Sequence, residues 1–309
     1  MKYDLIIIGG GPAGAAAGVY AARKRLKTVL IAYEFGGQSK VSEEIQNWIG
    51  TPSISGIELA KRLEEHVRMY ANDTLSIQTG EKATGIAKEK DGFTVTTDAG
   101  KTFSARAVLV ATGSERRKLT VPGAEEFENK GITYCASCDG PIFAGKDVVV
   151  IGGGNAGFET ASQLSAYTKS VTLLNRGPEF KADAITVEKV LQKENVKAFN
   201  NMEIMEIKGD ATVNAIVYKN GETGEVVELP TGGIFVEIGQ IPATGFVPED
   251  LVQKNRYGQI IIDPRTQQTS QPGIWAAGDS TDVLYNQNNI AVGDAVRAVE
   301  DIYVHLHAK

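Results

Sequence analysis

The chain holds two cysteines, and both stand in one run, Cys135-Ala136-Ser137-Cys138-Asp139. A Cys-x-x-Cys spacing permits a small ring that cycles between dithiol and disulfide, with the thiolate as the reactive form. Asp139 adds a carboxyl able to give or take the proton that thiol exchange requires. Zinc is the competing use of paired cysteines, but it takes about four ligands. The remaining candidates, His66, His305 and His307, have no metal-ligand spacing, so no metal is expected. A pair of inert buried thiols is disfavoured by the polar turn Asp139-Gly140-Pro141 directly after it. Redox chemistry in a cytosolic setting is the expectation.

Two glycine runs carry a second chemistry: Gly9-Gly10-Gly11-Pro12-Ala13-Gly14 and Gly152-Gly153-Gly154-Asn155-Ala156-Gly157. In Gly-x-Gly-x-x-Gly the first glycine permits a tight turn and the second lets backbone approach a pyrophosphate. The third allows close helix–strand packing, and the helix N-terminus faces the phosphates. Glu34, twenty residues after Gly14, can accept bonds from a ribose hydroxyl. One such run is a weak signal; two in matching context predict two nucleotide sites. The ribose-reading stretch of the second site is Asn175-Arg176-Gly177-Pro178-Glu179-Phe180-Lys181. It has neither an evident carboxylate at the strand end nor a dense arginine cluster. Arg176 and Lys181 either hold a 2′-phosphate or are solvated surface charges, so NADPH and NADH both stay open.

The elements that must position these residues follow from apolar runs. Leu5-Ile6-Ile7-Ile8 enters the first glycine turn, a small-residue helix follows to Ala22, and Arg23, Lys24 and Arg25 favour its C-terminus. Thr28-Val29-Leu30-Ile31 is the second strand, which makes a β-α-β unit. The same order returns at Asp147-Val148-Val149-Val150-Ile151, with Val171-Thr172-Leu173-Leu174 after its helix. Each unit continues through alternating segments broken by turns such as Asp98-Ala99-Gly100 and Lys219-Asn220-Gly221. Each then ends in a strand running into glycine, at Ala111-Thr112-Gly113 and Glu237-Ile238-Gly239. The predicted fold class is α/β: two Rossmann-like domains, three-layered, with parallel central sheets and β-meanders, the second inserted into the first. Ile260-Ile261-Ile262 and the run from Ile274 to Asp279 complete the first domain. The expected bounds are 1–115 with 245–309, and 116–244.

Composition agrees. A length of 309 residues suits two domains, and 42% apolar with 23% charged residues is ordinary globular usage. The net charge of −6 disfavours nucleic acid as a partner. No apolar run approaches the ~20 residues of a membrane span. The N-terminal segment reads as a strand rather than a secretory signal, and a cytoplasmic location is expected.

In their order along the chain, the first glycine run, Gly36-Gly37-Gln38, Ala111-Thr112-Gly113, the cysteine run, the second glycine run and Ala277-Gly278-Asp279 resemble the low-molecular-weight thioredoxin reductases. The resemblance extends over essentially the whole chain. It implies thioredoxin-disulfide reductase activity, FAD in the first domain and NAD(P)H in the second. FAD would be contacted by Gly9, Gly11, Pro12, Ala13, Gly14, Glu34, Gly37, Gln38, Asn47, Ala111, Thr112, Gly113, Gly278, Asp279 and Gln287. In that family the Asp279 position meets the flavin ribityl chain, and Gln287 lies in the segment along the flavin. NAD(P)H would rest on Gly152, Gly154, Asn155, Ala156, Gly157, Arg176 and Lys181.

By the same resemblance, Cys138 faces the flavin, Cys135 attacks the disulfide of thioredoxin or a thioredoxin-like protein, and Asp139 manages protons. A homodimer and a hinge rotation at crossings near 114–121 and 241–244 are implied too. Pro141-Ile142-Phe143 is either a docking loop or core packing.

Two stretches depart from the family. Its NADPH-using members show His-Arg-Arg and a later Arg where this chain keeps Arg176 and has Lys181. Leu173-Leu174, Pro178-Glu179 and Lys181-Ala182-Asp183 are instead similar to the reductase portion of the NADH-dependent alkyl hydroperoxide reductase flavoprotein. Asn288-Asn289 is more polar than the family usual beside the flavin. Rival readings are a peroxiredoxin or glutaredoxin-like partner, and a ferredoxin-fed reductase, which the intact second glycine run disfavours. A redox sensor without turnover and a flavoprotein with no dithiol role are disfavoured by the cysteines.

Overall fold

In strand β1 (Lys2–Ile8) the run Leu5-Ile6-Ile7-Ile8 is apolar on both faces because a layer covers each. Leu5 and Ile7 join a core with the alanines of helix α1 (Pro12–Arg23), while Ile6 and Ile8 join a second core behind the sheet. Side chains so withdrawn from water contribute about 1.5–3 kcal/mol each. The computed structural model describes residues 2–41, 45, 47–71, 74–134 and 136–307, and for Lys2, Val41, Ser137 and Cys138 the backbone alone.

The chain continues through β2 (Thr28–Ala32), α2 (Gly56–Arg68), β3 (Leu75–Thr79), β4 (Ala83–Glu89), β5 (Gly92–Thr97) and β6 (Thr102–Val110). Strand β7 (Ser114–Arg116) leads into the second unit. There follow β8 (Ile132–Thr133), α3 (Ala136–Asp139), β9 (Asp147–Ile151), α4 (Asn155–Leu164), β10 (Ser170–Leu174), α5 (Ala184–Leu191) and β11 (Val196–Phe199). The meander β12 (Met202–Gly209), β13 (Val213–Asn220) and β14 (Val226–Pro230) precedes β15 (Gly233–Val236). After β16 (Gln240–Pro242), β17 (Ile274–Ala276) and α6 (Asn288–His307) belong to the first unit.

The first unit, Met1–Glu115 with Ile241–Lys309, is built on a seven-stranded sheet in the order β3-β2-β1-β6-β5-β4. Strand β6 divides one edge between two neighbours. Its first half pairs antiparallel with β5 and its last three residues parallel with β17. Helices α1 and α6 cover one face, where Ala291, Ala295, Ala298 and Ile302 meet Leu5, Ile7 and Trp275. The meander strands contribute Ile86, Phe93 and Val95 to the other core.

The second unit, Arg116–Gln240, has a five-stranded parallel sheet in the order β11-β10-β9-β15-β8. Val148 and Val150 face α4, while Val149 and Ile151 face the meander, so the two-sided burial of β1 recurs in β9.

The chain rejoins the first unit at Ile241, earlier than the expected 245. Backbone bonding accounts for this: Ala243 N–H donates to the Gly113 carbonyl, and Thr112 Oγ1 donates to the Ala243 carbonyl at 2.8 Å. The run 260–262 forms only isolated bridges, so β17 alone completes the sheet. No helix among the described residues is long and apolar enough to cross a membrane.

Candidate flavin, nucleotide and disulfide sites

In the first unit Ile8 is paired with Ile31 and Val110, and Val110 with Ala276. The segments that start at Gly9, Tyr33, Ala111 and Ala277 therefore leave the sheet at one edge, the carboxyl end where open α/β sheets bind ligands. Gly9 has φ +120°, and a Cβ there would lie 2.1 Å from the Ala111 carbonyl oxygen. A Cβ on Gly14 would lie 1.9 Å from the Gly9 carbonyl oxygen, which binds the start of α1 to the turn. Gly11 is different: the nearest atom to its Cβ position is Gly37 Cα at 3.9 Å. No side chain caps α1, and two glycines, Gly11 and Gly37, lie side by side at its N-terminus, where a phosphate can approach the backbone.

The residues present fit FAD. An open cavity of about 360 Å³ lies between the segment after β2 and helix α2, lined by Tyr33, Glu34, Phe35, Lys40, Ala60 and Arg68 among others. Glu34 is ion-paired at 2.5 Å with Lys40, a partner the sequence reading missed. Gln38 donates to the Ser114 carbonyl at 3.0 Å, and Asn47 donates to Gln287 Oε1 at 3.1 Å.

Gly278 is wedged against Ala291 and Ala13, which presents the next residue, Asp279, beside the start of α1. The Asp279 carboxylate has no side-chain hydrogen bond among the described residues, as suits a group meant for a ligand hydroxyl. Its pKa is raised, chiefly by burial and then by Asp294. Asp294, buried in α6, was not singled out from sequence because an Asp–Arg pair three apart on a helix resembles surface charge. Arg297 Nη1 donates to its Oδ1 at 3.2 Å. Gln267 is best oriented with its nitrogen donating to the Ala276 carbonyl and its oxygen accepting from Arg297. Burial also raises the Asp294 pKa, opposed by Arg297 and the nearby Gly278 amide.

For carboxyls raised in this way, stability is fully present below the ordinary Asp value of 3.8 and is lost as pH rises through the folded pKa. In apoprotein melts from pH 4 to 8, wild type should therefore lose ground to Asp294→Asn as pH rises. A constant gap between the two curves would refute this.

The second unit repeats the first turn closely. Gly152 has φ +131°, and its Cβ position is 2.1 Å from the Glu237 carbonyl oxygen; that of Gly157 is 2.0 Å from the Gly152 carbonyl oxygen. Gly154, like Gly11, opens outward, with nothing within 4 Å of a Cβ and no side chain capping α4. These features fit a pyridine nucleotide.

The loop after β10 is tied to this turn, since Lys181 and Ala182 N–H donate to the Gly153 carbonyl. Asn155 Nδ2 donates to Asp183 Oδ2, and Asp183 N–H donates to Asn155 Oδ1. Asn175 Nδ2 is spent on Gly177, Glu179 and Asn200. Arg176 and Lys181 are exposed and form no ion pair among the described residues.

A largely buried carboxylate, Glu237, pairs with the part-buried Arg116 beneath the turn. Arg116 Nη1 lies 2.9 Å from Glu237 Oε2, and Thr160 Oγ1 donates to Glu237 Oε1 at 2.8 Å. Burial outweighs Arg116 and raises the Glu237 pKa. Removing one member of such a pair strands the other, so Arg116→Ala should cost about 3 kcal/mol in urea unfolding, and Glu237→Gln less. Equal costs would contradict that account.

Cys138 lies in the helical turn α3, while its side chain and all of Cys135 lie outside the described residues. Thr133 Oγ1, buried at the end of β8, donates to Asp139 Oδ2. The loop 141–143 divides its roles. Phe143 is core, edge-on to Phe235 at 5.2 Å, whereas Ile142 is 68% exposed. Among the described residues no cluster of metal-ligating side chains occurs.

Two dinucleotide-type turns, each at the end of parallel strands in a separate sheet and one in the unit that carries Cys-x-x-Cys, define a flavin- and nucleotide-dependent disulfide oxidoreductase fold. The chain belongs to the pyridine nucleotide-disulphide oxidoreductase family, which matches residues 3–295, and FAD and NAD(P)H are its cofactors. It is 41% identical over 304 residues to NADH dehydrogenase of Bacillus subtilis (strain 168), covering 98% of this chain and 58% of the relative. It is 41% identical over 297 residues to an alkyl hydroperoxide reductase subunit of Escherichia coli (strain K12), covering 96% of this chain and 57% of the relative. The chain thus spans little more than half the length of these curated relatives. Among solved structures it is similar to Lactococcus lactis thioredoxin reductase, with TM-score 0.93, 35% identity and 100% of both chains covered.

Proposed function

We propose that the chain is an NAD(P)H-dependent disulfide reductase whose Cys135 and Cys138 receive electrons by way of FAD and deliver them to a thioredoxin-like protein. The observation that supports this most is α3, a helical turn holding Cys138 and Asp139 in the same unit as the second glycine turn. In this reading Gly9, Gly11, Gly14, Glu34, Gln38, Asn47, Asp279 and Gln287 hold FAD, and Gly152, Gly154, Asn155, Gly157, Arg176 and Lys181 hold NAD(P)H. Bound FAD supplies the exchange between a hydride and two electrons that links a nicotinamide to a disulfide.

The remaining steps belong to the chain. Cys138 takes the flavin-facing place and Cys135 attacks the partner's disulfide. Thr133 holds Asp139 Oδ2, leaving Oδ1 to exchange a proton with a cysteine sulfur. A hinge at β7 and β16, a homodimeric state and a cytoplasmic location complete the reading. A second reading, supply of electrons to a peroxiredoxin, is favoured by the 41% identity to the alkyl hydroperoxide reductase relative.

Anaerobic titration with NADH and NADPH separately, followed by disulfide forms of a thioredoxin-like protein and of a peroxiredoxin, tests both. Visible absorbance should bleach with a nicotinamide and return with one of the proteins. A colourless preparation, or bleaching that no disulfide protein reverses, would sink the reading.

A further inference from the structure

The buried face of α6 runs through Ala291, Ala295, Ala298 and Ile302, and Asp294 sets a carboxyl group into it. The turn that carries Asp279 rests on that face. A Cβ at Gly278 would lie 3.1 Å from Ala291 Cβ, one helical turn before Asp294. Only half of the Asp294 carboxyl is matched. Oδ1 accepts from Arg297 Nη1 at 3.2 Å, while Oδ2 is shut off from water without a hydrogen bond among the described residues. A buried oxygen in that state favours the protonated form of its carboxyl.

The charged groups that face Asp294 are few. Arg297 of its own helix is half-exposed, so water screens its hold on the carboxyl. From the turn after β17 comes Asp279, close enough for the two carboxyls to repel. Strand β17 carries no charge, and neither does α1 before Arg23. Arg106 of β6 lies at the other end of α6, on the Leu306 carbonyl. The segment before β17 supplies the neutral Gln267, with Asp263 and Arg265 exposed.

We propose that Asp294 takes up a proton when FAD binds, which links flavin retention to pH. The inference rests on the reading that Asp279 meets a hydroxyl of the flavin. Without a ligand, Asp279 is half-buried and water screens it from Asp294. A ligand hydroxyl that donates to Asp279 keeps that carboxylate ionised, and the screening water is displaced. Repulsion between neighbouring negative charges grows as the local dielectric falls. Asp294 gains no new donor to offset it, so a solvent proton settles on Asp294 and makes its carboxyl neutral. No bond of the flavin is made or broken in this step. Burial has already raised the Asp294 pKa before the ligand arrives, and the bound state raises it further. Affinity is therefore full below the ligand-free pKa and is lost as pH rises toward the ligand-bound one.

The test is the dissociation constant of FAD from pH 5 to 8, by calorimetric titration of the apoprotein. Buffers of differing ionisation enthalpy count the protons in the same experiment. Wild type should take up as much as one proton per flavin and lose affinity by up to about tenfold per pH unit. Asp294→Asn, neutral at every pH, should take up none, and its affinity should stay within about twofold across the range. Asp279→Asn should bind FAD at least about tenfold more weakly and with a flattened pH dependence, because it removes the repelling charge. The Glu34–Lys40 pair is common to all three proteins, so the difference between wild type and Asp294→Asn isolates the Asp294 proton. A wild-type affinity that is flat or rises with pH would overturn the proton link alone, and wild type by itself decides this. A slope that Asp294→Asn shares would do the same. Asp279→Asn binding as tightly as wild type, or a wild type that takes up no FAD, would overturn the link together with the underlying reading.

Discussion

Replacing Cys138 with serine is expected to lower turnover with a disulfide protein by at least about a thousandfold, or about 4 kcal/mol of transition-state stabilisation. The chain has only the two cysteines, so no other sulfur can take over the exchange. A serine hydroxyl is neither ionised near neutral pH nor able to form the ring, so the electron path ends there. Cys135→Ser should cost as much, and the double variant no more than either, because the pair acts as one unit. Bleaching by NAD(P)H should persist in all three, since it needs neither sulfur. Turnover of Cys138→Ser within tenfold of wild type would remove the cysteine pair from the scheme.

The second large effect separates ligand approach from folding. With nothing within 4 Å of its Cβ position, Gly154 can accept a side chain without disturbing the apoprotein. That same space is where a pyrophosphate must meet the backbone. Gly154→Val should therefore raise the KM for NAD(P)H by about a hundredfold, equivalent to about 2.7 kcal/mol, with FAD content and melting temperature retained. Gly157→Ala should behave in the opposite sense. Its Cβ would sit 2.0 Å from the Gly152 carbonyl oxygen, so the turn must break and the unit lose stability. A Gly154→Val protein with an unchanged KM would mean that the second turn holds no nucleotide.

Much of this architecture could be read from local runs. The runs 5–8 of β1 and 148–151 of β9 stand out as unbroken apolar segments because each is buried on both faces. The run 260–262 gave the same apolar signal yet forms no strand, because the edge of β6 is already shared by β5 and β17. Apolar character reports burial, not which neighbour a segment finds. The loop 141–143 shows the same limit, since only folding separates buried Phe143 from exposed Ile142. Lys40 was missed because six residues of separation do not announce that a turn brings it onto Glu34.

What the linear order of residues determined by itself is the pair of glycine turns and the dithiol. Each depends on a few contiguous residues, on backbone conformations that glycine adopts and on a spacing that closes a small ring. What only the tertiary structure decided is the set of partners around them: Arg116 with Glu237, Ser39 with Asn288, and Asp294 beside Asp279. The first two lie 121 and 249 residues apart. Contacts of that kind exist only once the sheets have brought distant segments to a common edge, and no local pattern encodes them.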